Sequence, residues 1–302
     1  MVKAGSMTSL NAQAFHDIFF SSEDSLRLHA RDYPATLGAA DRLPILCLPG
    51  LSRNARDFHQ LALMLANHTL TPRRVIAVDY RGRGLSQYDA NSTNYNVVME
   101  CRDVIALCDT LGLKQCLFIG TSRGGLILHV MAALRPDLIA ATVLNDIGPE
   151  IEAEGLMAIR DYLSRRTTFS SFEEAADGLA ALHGTTFPAL SAADWLDMAH
   201  ALYRECDGSI VADYDPALNE QLHAIDFGKP LPTLWPQFDI LAQKPMLVIR
   251  GENSRLFSSR TVEAMKEGRS TVAAHIVNGQ GHTPLLHHAD VFSSLEAFFA
   301  SL

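Results

Sequence analysis

The sequence has no Cys-x-x-Cys pair, no Gly-x-Gly-x-x-Gly run and no dense block of Lys or Arg. These absences argue against a zinc ribbon or dithiol centre, a dinucleotide pocket and a nucleic-acid-binding surface. No cofactor and no metal is therefore expected. Apolar runs fall short of the roughly 18 residues that a bilayer crossing needs, so no membrane partner is expected either. The N-terminus also lacks the basic-then-apolar pattern of a secretory signal, and a cytoplasmic location is the expectation. The five cysteines, Cys47, Cys101, Cys108, Cys116 and Cys206, are odd in number and lie mostly in apolar segments. They read as buried free thiols in a reducing compartment.

What is present fits one large folded unit. The chain has 302 residues, enough for a single α/β domain with an inserted subdomain, and 48% of them are hydrophobic, ordinary usage for a packed core. The formal net charge of −9 suits small neutral substrates better than polyanions. A homodimer is compatible with this composition. The opening Met1–Met7 stretch reads as a cloning remnant ahead of a native start at Met7 and is left out of the fold reasoning.

Along the chain, short β-rich runs alternate with amphipathic stretches, the pattern of a mostly parallel sheet covered by helices. Ala14–Phe20 and Leu26–Asp32 have no helix between them and are expected to pair antiparallel at the sheet edge. Strands are then predicted at 44–49, 75–78, 116–119 and 138–144, with helices at 58–66, 97–111 and 124–134. From about 149 to 243 the strand signal nearly vanishes, and helical spacing takes over at 150–165, 171–182, 192–204 and 216–224. The rhythm resumes with a strand at 246–250, a helix at 258–266, a strand at 273–277 and a helix at 289–302. The expected organisation is a core of residues 8–148 and 244–302, interrupted by a helical cap at 149–243.

The sharpest local signal is Gly120-Thr121-Ser122-Arg123-Gly124, set between a strand-like and a helix-like run. A tight strand-to-helix turn there pushes the serine hydroxyl out of the sheet, and glycines on either side permit the close approach. Ser122 is thus the candidate nucleophile. A serine needs a base, and of the 12 histidines His282 stands out, because Gly279-Gln280-Gly281-His282 follows the last predicted strand. His287 and His288 read as helix-end or surface groups. Candidate oxyanion donors are the amides of Arg123, which follows the nucleophile, and of Leu51, in the strand-exit turn Leu48-Pro49-Gly50-Leu51. Apolar and aromatic residues of the cap, among them Leu156, Met157, Phe169, Phe172, Phe187, Trp195, Trp235 and Phe238, could shape a pocket, although most are expected to be cap core.

In this order, together with Asp79-Tyr80-Arg81-Gly82-Arg83-Gly84-Leu85-Ser86, these segments make nearly the whole chain resemble the α/β-hydrolase fold family. The similarity is to its serine hydrolase branch of carboxylesterases, enol-lactonases and meta-cleavage product hydrolases. The resemblance implies an eight-stranded, mostly parallel sheet, and it gives the Asp79–Ser86 segment a structural role near the site. It also implies an aspartate after the strand at 246–250, yet the sequence there reads Gly251-Glu252-Asn253-Ser254-Arg255, with Arg255 about where that acid would stand. Asp146, just past the strand at 138–144, is the favoured substitute, and Glu252 is the alternative.

The expected activity is hydrolysis of a small ester or lactone through an acyl-enzyme. Carbon–carbon hydrolysis of a meta-cleavage product is a rival reading that keeps the same parts, with Arg53, Arg56 and Arg123 as candidate cations for an acidic substrate. A small-molecule receptor with slow turnover is a rival of another class, suggested by the displaced acid.

Overall fold

The computed structural model describes residues 14–36, 42–165 and 167–302; the expected remnant at 1–7 lies outside them. The chain opens with β1 (His16–Ser21) and β2 (Arg27–Tyr33), which pair antiparallel, His16 opposite Asp32 and Ser21 opposite Arg27. It continues through β3 (Ile45–Leu48), α1 (His59–Ala66), β4 (Val75–Asp79), α2 (Val97–Thr110), β5 (Cys116–Thr121), α3 (Arg123–Leu134) and β6 (Ile139–Asn145). After a long excursion come β9 (Met246–Gly251), α9 (Ser259–Lys266), β10 (Val272–Val277) and α10 (Ala289–Ala300). These strands form one 8-stranded sheet in the order β1-β2-β4-β3-β5-β6-β9-β10. The pairs from β4 through β10 run parallel, while β2 meets β4 antiparallel.

Two-residue periodicity explains how the central strands are buried on both faces. Leu46, Leu48, Ile76, Val78 and Phe118 pack on the side covered by α2, α3 and α9. Their neighbours Ile45, Cys47, Val75, Ala77, Leu117 and Ile119 pack on the side covered by α1 and α10. Helix α2 starts where the Asn96 side chain accepts the amides of Val98 and Met99, and the chain leaves it at Gly112, whose φ is +65°. All five cysteines are free, four of them buried and Cys206 partly exposed. No helix among the described residues is long and apolar enough to cross a membrane.

The excursion between β6 and β9 contains α4 (Ala153–Leu163), α5 (Phe172–His183), α6 (Ala192–Leu202), β7 (Tyr203–Cys206), β8 (Ser209–Ala212), α7 (Leu218–His223) and α8 (Trp235–Leu241). The two strands correct the expectation of an all-helical insertion. Residues Tyr203 and Arg204, expected to extend α6, instead begin a hairpin with Asp207 and Gly208 at its turn, at φ +50° and +75°. Such paired positive φ values belong to the tight turn that suits the twist of antiparallel strands. A separate apolar cluster from α5, α6 and the hairpin, including Leu179, Trp195, Met198 and Ile210, gives this region its own core. Helix α8 is different: Phe238 and Leu241 are buried in the main core, and the Phe238 ring stacks on His129 of α3.

The insertion is held on the sheet through Arg56. Its guanidinium donates to the carbonyls of His200, Ala201 and Tyr203 and pairs with Asp213 at 2.8 Å. Carbonyls at a helix C-terminus have no partner within the helix, so a cation there satisfies them and complements the helix dipole.

Candidate active site

Ser122 occupies the turn from β5 into α3 with φ 49° and ψ −108°, a strained combination for a residue with a side chain. Close packing enforces it. A β-carbon on Gly124 would lie 2.1 Å from the Leu48 carbonyl oxygen, and one on Gly120 would lie 2.7 Å from the Gly124 carbonyl carbon. Only glycine lets β3, β5 and α3 meet this closely. The Ser122 amide donates to the Asn145 carbonyl at 3.0 Å, which fixes the turn to the end of β6.

His282 lies on the loop between β10 and α10, with its side chain 16% exposed. Its Nε2 accepts from the Ser122 hydroxyl at 2.8 Å, and its Nδ1 lies 2.7 Å from Asp146 Oδ2. Because an ionised carboxylate can only accept, the proton sits on Nδ1 and Nε2 faces the serine as an acceptor. The loop is braced by the buried Gln280, which accepts the Leu285 amide at 2.8 Å, and by Asn145, which donates to the Pro284 carbonyl at 3.1 Å.

Asp146 is fully buried, with φ 54°. Its amide donates to the Ile249 carbonyl at 2.7 Å, its Oδ1 accepts the Gly251 amide at 2.8 Å, and its Oδ2 accepts the Ser254 hydroxyl at 2.5 Å. Adjacent parallel strands make this reach possible: Asn145 is in register with Ile249, so the end of β6 stands beside the end of β9. Glu252, the alternative acid, points elsewhere and accepts the Gly279 amide at 2.8 Å. Arg255 turns outward, with its side chain 67% exposed and Glu154 at 3.6 Å.

The amides of Leu51 and Arg123 donate to no protein acceptor among the described residues. Their two loops are tied together beneath the surface. Arg83, fully buried, donates to the Leu51 carbonyl at 2.8 Å and to Glu100 at 2.8 Å, and the other Glu100 oxygen accepts from Arg123 at 2.7 Å. Asp79 anchors the same region by accepting the Ala55 and Leu85 amides at 2.6 and 2.9 Å. The structural role expected for Asp79–Ser86 thus takes a definite form.

A cavity of about 120 Å³ opens over Ser122 and His282. Of the eight cap residues considered from sequence, Phe187 and Trp195 line it; Phe238 is core and Phe169 and Phe172 pack on Tyr203 and His200. Its wall also carries Tyr162, His183 and Arg53, which sequence reasoning had not combined. Burial, aided by the Arg53 charge, pushes His183 down to about 4, so it is a neutral imidazole at pH 7. Two further cavities, about 210 and 260 Å³, share Tyr162 with it. Among the described residues, Asp194, His287 and His288 bring potential metal ligand atoms within 4.8 Å of one another. Asp194 is already engaged, accepting the Ser191 amide and hydroxyl and pairing with His288 at 3.0 Å.

A sheet of this order, with a serine on the strained strand-to-helix turn, defines a class of protein, the α/β hydrolases. Residues 44–289 match the family described as alpha/beta hydrolase fold, and the chain belongs to that family. Over 267 residues it is 30% identical to the 3-hydroxybutyrate-oligomer hydrolase of Cupriavidus necator, covering 85% of this chain and 88% of that protein. It is 28% identical to the 2-(acetamidomethylene)succinate hydrolase of Mesorhizobium japonicum, covering 79% of this chain and 81% of the relative. Among solved structures, an alpha/beta hydrolase from Novosphingobium aromaticivorans superposes with a TM-score of 0.87 at 36% identity, covering 96% of this chain and 99% of that one.

Proposed function

We propose that the protein is a serine hydrolase that cleaves a small carboxylic ester, or a lactone, through an acyl-enzyme on Ser122. The observation that carries this reading is the unbroken series Asp146–His282–Ser122, with contacts of 2.7 and 2.8 Å. In the proposed cycle His282 takes the hydroxyl proton as Ser122 attacks the carbonyl carbon. The carbonyl oxygen becomes an oxyanion between the amides of Leu51 and Arg123, where preorganised donors stabilise the developing charge. As the tetrahedral intermediate collapses, His282 gives its proton to the departing alcohol. Water, deprotonated by the same imidazole, then releases the acid and restores Ser122. Asp146 holds the Nδ1 proton throughout and stabilises the imidazolium.

The Cupriavidus relative acts on oligomers of a hydroxy acid, whose repeating link is an ester, and this supports the ester assignment. Free thiols throughout fit a cytoplasmic enzyme. The receptor reading loses its motive, since a buried carboxylate stands at His282 after all. Carbon–carbon hydrolysis remains the second reading, because Arg53 in the cavity wall suits an acidic substrate.

The test is turnover of 4-nitrophenyl acetate and butyrate, with fluorophosphonate labelling read by intact mass, for wild type and Ser122→Ala. Both signals in the wild type and neither in the variant are expected. A wild type that neither labels nor turns over would overturn the proposal. Faster turnover of a meta-cleavage product than of either ester would move the assignment to the second reading.

A further inference from the structure

Of the three arginines considered from sequence as partners for an acidic substrate, two are committed elsewhere. Arg56 latches the cap, and Arg123 donates to Glu100 at 2.7 Å and to the Tyr95 carbonyl at 3.0 Å. Arg53 lines the catalytic cavity with Ser122 and His282. Its Nη1 donates to Asp57 at 2.8 Å, while Nε and Nη2 donate to nothing among the described residues. The side chain is only 19% exposed. Its position beside the nucleophile follows from Gly50: a single methyl group placed there would lie 3.2 Å from Arg53 Cγ and 4.0 Å from Ser122 Cβ.

A guanidinium that lines the cavity, largely withdrawn from water and satisfied at one corner, keeps strong donors without a protein partner among the described residues. The partner that matches two adjacent N–H groups in one plane is a carboxylate accepting both. Around it the wall is mostly apolar, from Leu179, Phe187, Trp195 and Met198, with the neutral His183 as a polar neighbour. Asp57 pairs with Arg53 through one nitrogen only, so it leaves the Nε–Nη2 edge free.

We propose that Arg53 binds a carboxylate of the substrate, so that the site takes anionic short esters whose carboxylate lies a few bonds from the scissile carbonyl, as in esters of hydroxy acids. This rests on the ester reading above and adds the charge of the substrate to it. The neutral small substrate expected from the net charge of the chain is replaced by an anionic one, because the local field at the site outweighs a distant surface charge.

The test compares mono(4-nitrophenyl) glutarate with 4-nitrophenyl butyrate in wild type, Arg53→Gln and Arg53→Lys. The kcat/KM ratio of the anionic to the neutral ester should fall about 10- to 100-fold in Arg53→Gln, with a smaller fall in Arg53→Lys, which keeps the charge but not the fork. A ratio unchanged within about twofold in Arg53→Gln would overturn the proposal. Calorimetric titration of glutarate into Ser122→Ala and into Ser122→Ala/Arg53→Gln needs no turnover. Binding to the first and not the second supports the proposal even if neither ester is cleaved, an outcome that would sink only the ester reading. Equal heats in the two proteins would overturn it. Circular dichroism of each variant shows whether it is folded, and Arg53→Lys decides by the same ratio if Arg53→Gln is not.

Discussion

Asp146 does its work with one side chain and three hydrogen-bonded contacts. Its carboxylate faces His282, the Gly251 amide and the Ser254 hydroxyl, which fix both oxygens and hold the imidazole proton on Nδ1. Asp146→Asn puts an amide in place of the acceptor and favours the wrong tautomer, so kcat for 4-nitrophenyl butyrate should fall by about 10³- to 10⁴-fold. Glu252→Gln should stay within about twofold of wild type, because the glutamine oxygen can still accept the Gly279 amide and nothing that touches His282 changes. Ser254→Ala removes one hydrogen bond to the charged carboxylate and should lower kcat about tenfold. Steady-state kinetics on the purified variants checks all three, and a larger loss in Glu252→Gln than in Asp146→Asn would reverse the assignment. Ser122 and His282 were legible in the sequence because short-range glycine patterns announce the turns that carry them. Asp146 was legible only as one of two candidates. Choosing between them needed the register of β6 against β9, a long-range property that chain order does not contain.

At the scale of elements, the elbow depends on how closely β3, β5 and α3 pack. Gly124→Ala would drive a methyl group into the Leu48 carbonyl, backbone that cannot swing aside, so stability should fall by about 3 kcal/mol or more in urea unfolding. The buried Arg83–Glu100–Arg123 chain works at the same scale, since it joins the loop after β3 to the start of α3 and so spaces the amides of Leu51 and Arg123, the proposed oxyanion donors. Glu100→Gln should lower kcat about 10- to 100-fold at nearly constant KM, and it should slow fluorophosphonate labelling in parallel. A variant that lost only thermal stability would show that the chain is a structural brace and nothing more. Sequence periodicity located the sheet strands and the core helices, but it missed β7 and β8. Asp207-Gly208 was the available signal, masked by the helix-like spacing that precedes it. Helix α8 was missed for another reason: with Pro236 in its first turn it is short, and it is held by tertiary packing on α3.

For the whole molecule, acid stability turns on groups that the fold buries neutral. His129, inside α3 and stacked on Phe238, donates from Nδ1 to the Gly125 carbonyl at 2.7 Å, and burial pushes it down to about 4. Between pH 6.5 and about 4 the unfolded chain therefore binds a proton there that the folded chain does not, so stability falls as pH falls through that window. His129→Leu removes this dependence. Between pH 7 and pH 4.5 the wild type should lose about 2–3 kcal/mol more than the variant in chemical denaturation. Parallel losses in the two proteins would place the acid sensitivity elsewhere.

By itself the sequence determined the alternation of strands and helices, the insertion between β6 and β9, and the two short glycine-rich turns that carry Ser122 and His282. Each is a local consequence of side-chain period or backbone freedom. Tertiary structure decided which carboxylate meets His282 and which of three arginines keeps donors free for a ligand. Those choices depend on strand register, on loops meeting across the sheet and on competition among buried partners. Such distances exist only once the chain is folded.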